Sequence, residues 1–300
     1  MNKALRVIEF TVISYLVALL VDSLFYKYGF SAELSETSIV ILGVVWSFTR
    51  MWSVTVVVFT CLLVHRVSVK EWFKRALGFS KKTLLYYFIS PLIVYLALGI
   101  YVLIAYPLGL FDFNVYVEIV AKQLEKAIPV QVNNLESLAR VVAFTQLFQA
   151  YIAAVTVNAV FALGEEIGWR GYLYELLGGR PSLGSTAIVG VCWGLWHASA
   201  ILILGYNYTY NRLLGVVLFT VLTTTLTYPH LLLTSRAKSV LPASSLHGGL
   251  NALWPLTLVA TKLPVDQREL LLGLGALGII AWSITSTIIV AVHKATLQLN

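Results

Sequence analysis

The feature that most constrains this chain is the recurrence of long apolar runs, each close to the roughly 20 residues an α-helix needs to cross the hydrocarbon of a bilayer. Where water is missing, every backbone N–H and C=O must find a partner within the protein, and helices do this segment by segment. Eight such runs can be drawn, over residues 7–25, 45–64, 84–106, 141–163, 186–204, 213–233, 240–260 and 270–292. The expected fold is therefore all-α, a polytopic integral membrane protein of about eight transmembrane helices in one bundle. Composition agrees, with 59% hydrophobic and 12% charged residues and a mean hydropathy of +0.83, outside the range of soluble domains. No internal repeat and no Pro-, Gly- or Ser-rich linker divides residues 1–300, so the chain reads as a single membrane domain.

A net charge of +7 would suggest nucleic-acid binding in a soluble protein. Here the basic residues sit in loops, where the excess of Lys and Arg on cytoplasmic loops accounts for them, and no nucleic-acid partner is expected. The basic loop 65–82 carries Arg66, Lys70, Lys74, Arg75, Lys81 and Lys82 against Glu71. Arg180, Arg236, Lys238 and Lys294 fall on the same side if the spans alternate, and Lys3 and Arg6 precede the first run. The other side holds Glu33, Glu36, Asp112, Glu118, Glu125, Glu136, Asp266 and Glu269. An even number of spans with both termini in the cytoplasm satisfies this pattern. The first run lacks a small-x-small cleavage site and contains Asp22, which makes it a span rather than a signal peptide.

In the basic loop, Trp72, Phe73, Leu77 and Phe79 interleave with the cations, a pattern expected of a helix lying on the anionic cytoplasmic leaflet. The outer-side connection 111–138 has the periodicity of an amphipathic helix over 115–127, ahead of Pro129. Asn207-Tyr208-Thr209 is a glycosylation sequon on the expected outer side. Cys61 and Cys192 suggest neither a disulfide framework nor a zinc cluster, and read as small buried hydrophobes.

Ionisable groups within apolar runs are costly and mark function by default. Glu9, Asp22 and Arg50 are expected at the interfaces, with Arg50 snorkelling to the outer one. His230, after Pro229, is read as structural. Glu165, Glu166, Arg170, His197, His247 and Asn251 gather in three segments of the second half. No breaker interrupts 141–177, and Gly178-Gly179-Arg180-Pro181 is a stop signal. At about 1.5 Å per residue, Glu165 then lies ~18 Å from the cytoplasmic end, His197 ~20 Å and His247 ~8–12 Å, so the three can meet at intermediate depth. Glu166 and Arg170 share a face as an i,i+4 pair, a support. Glu165 is turned by ~100° from Glu166 and is free for chemistry. His247 and Asn251 project together, and Gly248 and Gly249 between them permit close approach of another backbone.

Three motifs, EEIGWR (165–170), WGLWH (193–197) and HGGLN (247–251), resemble the E-E-x-x-x-R, F-x-x-x-H and H-x-x-x-N/B signatures of the CPBP family. These are intramembrane proteases similar to the type II CAAX prenyl protease and to bacteriocin-processing or immunity proteins. The motif-bearing core spans about 141–260. Trp193 stands where the family has Phe, a change expected to alter packing more than chemistry.

The resemblance implies cleavage near the C-terminus of a membrane-anchored, possibly isoprenylated, substrate. It also implies an enzyme integral to the cell membrane (or the endoplasmic reticulum membrane) with its active site reached from the cytoplasmic side. Glu165 and His197 would activate a water, and His247 and Asn251 would hold the oxyanion. Two further readings stay open. In one, Glu165, His197 and His247 hold Zn²⁺. In the other, the bundle is a non-catalytic immunity, scaffold or transport protein, although the inverted repeats of a transporter are not evident.

Overall fold

The structure, a computed structural model, describes residues 2–30, 34–127 and 134–298. Glu33 and Pro129 lie outside them. The described residues are helical and loop only. In chain order the helices are α1 (Lys3–Phe25), α2 (Glu36–Val64), α3 (Val69–Ala76), α4 (Lys81–Ile89), α5 (Leu92–Ala105), α6 (Phe113–Ala127), α7 (Leu135–Ala154), α8 (Val157–Glu166), α9 (Tyr174–Leu176), α10 (Leu183–Trp196), α11 (Arg212–Ala237), α12 (Leu241–Leu253), α13 (Leu256–Val259), α14 (Val265–Leu271) and α15 (Ala276–Gln298). Serines open several of them: Ser35, Ser68, Ser80 and Ser182 each accept a backbone N–H of the first turn, satisfying donors that a helix leaves unpaired.

Six segments of the described residues are long and apolar enough to cross a membrane, and the pair α7–α8 supplies a seventh if counted as one bent span. The expected eight is thus not reached. The run at 240–260 folds as α12, 13 residues long, followed by the four-residue α13. At 1.5 Å per residue α12 covers about 20 Å, well short of a ~30 Å core. Its stretch Pro242–Leu250 is buried on all sides, so its apolarity serves the protein interior. The uninterrupted helix expected over 141–177 is also broken. The axis bends by 46° between α7 and α8, and the Tyr87 hydroxyl donates to the freed Val155 carbonyl at 2.9 Å. Past Glu166 the helix widens into a π-helical turn over Ile167–Leu173.

Close helix contacts rest on small residues, as expected where hydrophobicity cannot distinguish a neighbour from lipid. A Cβ on Gly194 would lie 2.5 Å from Thr220 Cα, so α10 and α11 touch backbone to backbone. The interior is filled with aromatics, among them the fully buried Trp169, Trp196 and Trp282, while residues such as Leu16, Val56 and Leu103 point outward.

The bundle has two ends. At the first, Trp72 Nε1 and Arg75 Nη2 donate to Glu175 at 2.7 and 3.3 Å. There Val240 N also bonds Ala76 O at 2.9 Å, His65 meets Glu9 at 2.9 Å and Arg236 meets His293 at 2.7 Å. The chain start, the 65–82 loop, the 177–182 and 237–240 turns and the end of α15 therefore share one end. Trp72 is buried against Tyr172, so α3 turns its indole into the protein and not to the leaflet; Phe79 is the exposed aromatic of this loop. At the second end, Asp112 N bonds Ala260 O at 2.8 Å, Glu269 accepts from the 209–211 backbone, and Tyr208 Oη donates to Leu274 O at 2.6 Å. The expected amphipathic helix is α6, packed through Val117 and Val120 on Ala139 and Ala143 of α7.

Candidate active site

Glu165 and Glu166 close α8, where the turn widens; π-helical turns recur at functional positions. Both carboxylates and Arg170 are buried. Glu166 Oε1 accepts from Arg170 Nη1 at 3.0 Å and from His247 Nδ1 at 2.9 Å. The Glu166–Arg170 support is present as expected, but it is Glu166, not Glu165, that holds His247. With Nδ1–H given to Glu166, the ring leaves Nε2 for the cavity that His247 lines. Nε2 donates a proton there only when the ring is doubly protonated, and the Glu166 carboxylate balances that charge.

Glu165 has a different partner. Trp193 Nε1–H donates to Glu165 Oε2 at 2.6 Å, leaving Oε1 to the cavity. A Phe has no such donor, so the Trp at this motif position adds a hydrogen bond to Glu165 as well as packing. The Trp193 ring also carries the Arg170 guanidinium 3.9 Å from its centroid. Its centroid lies 5.2, 5.9 and 6.0 Å from those of His247, His230 and His197. One indole thus touches Glu165, Arg170 and three histidines of the centre.

His197 caps α10, and its Nδ1 lies 2.9 Å from Trp193 O. A carbonyl only accepts, so Nδ1 carries the hydrogen and Nε2 holds a lone pair. The ring packs on Phe219 at 4.6 Å and lies parallel to Tyr206 at 6.3 Å. Burial, and secondarily the Glu165 charge, push the Tyr206 phenol up and keep it neutral. His230 is fully buried with Nδ1 on Leu226 O, consistent with a structural role. Asn251 shares α12 with His247 and is exposed to the cavity. Between them, a Cβ on Gly248 would meet Ala154 O at 2.6 Å, the close approach its glycine was expected to permit.

Glu165, His197, His247 and Asn251 all line one cavity of about 1010 Å³, whereas Glu166 and Arg170 stand behind it. Residues 143–253 match the family of Rce1-like type II CAAX prenyl endopeptidases. This segment belongs to that family. Comparison with curated proteins and with solved structures gave no match. The Rce1-like family is one of CAAX-type intramembrane proteases, and with its apolar helices the chain is an integral membrane protein.

The N-terminal helices add to the wall of the cavity in a way the charge pattern of the sequence did not reveal. Arg50 does not snorkel; its side chain is buried, and its Nε bonds both oxygens of the buried Asp22 at 2.9 and 3.1 Å. Trp46 Nε1 and Ser199 Oγ donate to the same carboxylate. Arg50 Nη2 donates to Trp196 O at 2.8 Å, its guanidinium lies 3.7 Å from the Trp196 ring centroid, and it lines the cavity. The available signal was one acid and one base in consecutive apolar spans. Glu9 does lie at a bundle end, as expected.

No residue of the basic end lines the cavity. Its wall runs past Trp46, Tyr206, Asn207 and Arg212 to the exposed Tyr26 and Ile39, all on the second end or its rim. Among the described residues, no three His, Cys, Asp or Glu are placed to ligate one ion.

Proposed function

We propose that this chain is an endopeptidase that hydrolyses a peptide bond near the C-terminus of a membrane-attached substrate. The observation that carries this reading is the lining of one cavity by an unshared carboxylate oxygen (Glu165 Oε1), an imidazole lone pair (His197 Nε2), an amide donor (Asn251 Nδ2–H) and His247, which donates from Nε2 when its ring is doubly protonated.

A water held between Glu165 and His197 gives up a proton to them as its oxygen attacks the scissile carbonyl carbon. The C=O electron pair moves onto oxygen, where His247 and Asn251 donate to it. Collapse breaks the C–N bond, and the proton passes to the leaving amine. The new carboxylic acid gives its remaining proton to the amine, so a carboxylate and an ammonium result. The apolar cavity rim, with Ile39, Val40 and Val44 exposed, suits a lipid-bearing substrate, and a farnesylated CAAX peptide is the first to test.

The test is cleavage of that peptide by the detergent-purified protein, read by mass spectrometry. Glu165→Gln should lower the rate by roughly 10²–10⁴-fold, the usual worth of general-base catalysis, and chelation should leave wild-type activity intact. Failure of the wild-type protein on any peptide would favour a non-catalytic scaffold. Loss on chelation with recovery in Zn²⁺ would instead assign Glu165, His197 and His247 to a metal.

A further inference from the structure

The hydrolytic steps make no use of Arg50, a cation only 3% exposed in the wall of the cavity. A buried arginine stays charged, and each of its five N–H groups calls for an acceptor. Part of the guanidinium is spent. Nε–H is shared between the two oxygens of Asp22, and one Nη2–H goes to Trp196 O. Asp22 is supplied from elsewhere as well, since Trp46 Nε1 and Ser199 Oγ donate to it. Nη1 donates to no group among the described residues. Two N–H donors of a fixed cation are therefore left for whatever enters the cavity.

The place of that cation is set by its neighbours. The guanidinium lies 3.7 Å from the Trp196 ring centroid and 5.9 Å from that of Trp46. Trp196 precedes His197, and their ring centroids are 4.9 Å apart, which puts Arg50 one ring away from His197. Its charge also acts on Glu165, His197 and Tyr206. Arg50 thus stands beside the hydrolytic groups and is hydrogen-bonded to none of them. An extended peptide advances about 3.3 Å per residue. With the scissile carbonyl held at Glu165 and His197, the chain two or three residues further on comes within reach of Arg50. A carboxylate there would sit in a cavity with many apolar lining residues, where an ion is costly unless a charged donor meets it.

We infer that Arg50 Nη1 anchors the free C-terminal carboxylate of the substrate, and that this contact restricts cleavage to chains ending two or three residues beyond the bond that is cut. The inference rests on the protease reading for the position of that bond. Arg212 also lines the cavity, but its Nε and Nη1 are spent on the carbonyls of Thr209, Leu202 and Ile203. A lysine in place of Arg50 would not serve, because its single ammonium would be drawn to Asp22 and has no second arm to offer.

Two farnesylated CAAX peptides are compared, identical except that one ends in a free carboxylate and the other in a primary amide. The detergent-purified wild-type protein should cleave the amide with a KM about 10- to 100-fold higher and kcat nearly unchanged, the worth of a hydrogen bond to a charged group. Arg50→Lys, which keeps an ion pair with Asp22 and gives up the spare donors, should bring the two KM values together. Arg212→Gln should preserve the difference. Equal KM values in the wild type, a difference that survives Arg50→Lys, or one that is lost in Arg212→Gln overturns the assignment. If Arg50→Lys does not accumulate, the double variant Asp22→Asn/Arg50→Gln takes its place, since it removes both buried charges together. Binding of dye-labelled forms of both peptides is read separately, by fluorescence anisotropy on Glu165→Gln. If the wild-type protein cleaves neither peptide, the protease reading falls. Tighter binding of the free acid, lost when Arg50→Lys is added, would then still uphold the carboxylate site, and equal binding would remove it.

Discussion

At the residue scale, the two adjacent glutamates divide the work differently from what their spacing implied. The i,i+4 rule found Arg170 for Glu166, because that pairing is local. It had no access to His247, 81 positions away, so the carboxylate that orients the histidine was read as a support only. The indole of Trp193 was legible as an aromatic but not as a donor to Glu165, since that depends on where α10 meets α8. Trp193→Phe, which restores the family residue, is expected to keep the ring contacts and lose the bond to Glu165. Hydrogen bonds to charged groups are worth about 1.5–3 kcal/mol, so kcat should fall roughly 10- to 100-fold with KM nearly unchanged. Steady-state kinetics on the detergent-purified variant, with its thermal unfolding midpoint as the folding control, check this.

At the element scale, helix content was plain from apolar period and length, and where helices end was not. The α7–α8 bend has no proline to announce it; it exists because Tyr87 and the approaching α12 accommodate the interrupted backbone. The 240–260 run looked like a span because a helix wholly enclosed by protein is as apolar as one enclosed by lipid. That enclosure makes a specific demand at Gly248, whose missing side chain lets α12 rest on the start of α8. Its obstacle is backbone, which cannot swing aside. Gly248→Ala is expected to cost about 1–3 kcal/mol, as overpacking does, and to reduce activity by displacing His247. Thermal unfolding together with peptide cleavage reads both effects, and a variant of wild-type stability and activity would contradict the packing described.

At the scale of the whole molecule, the three motifs announced a common site because their residue types are rare in apolar sequence. Which helices wall the cavity was beyond their reach, since depth along single helices carries no information on their neighbours. The Asp22–Arg50 pair was likewise hidden, each member looking like an interfacial charge until α1 and α2 were placed side by side. Removing one partner of such a buried pair typically costs about 3–5 kcal/mol. Asp22→Ala should accordingly lower the unfolding temperature sharply, and with it the yield of folded protein by size-exclusion chromatography, despite lying far from the motifs in sequence. The same pair bears on inheritance. A wall of the chamber comes from α2, and α2 is moored by α1, so the 143–253 segment that carries the family signature is not a portable catalytic cassette. Grafted or expressed alone it would present its histidines to an open side, and the N-terminal helices must be gained, lost and altered in step with it.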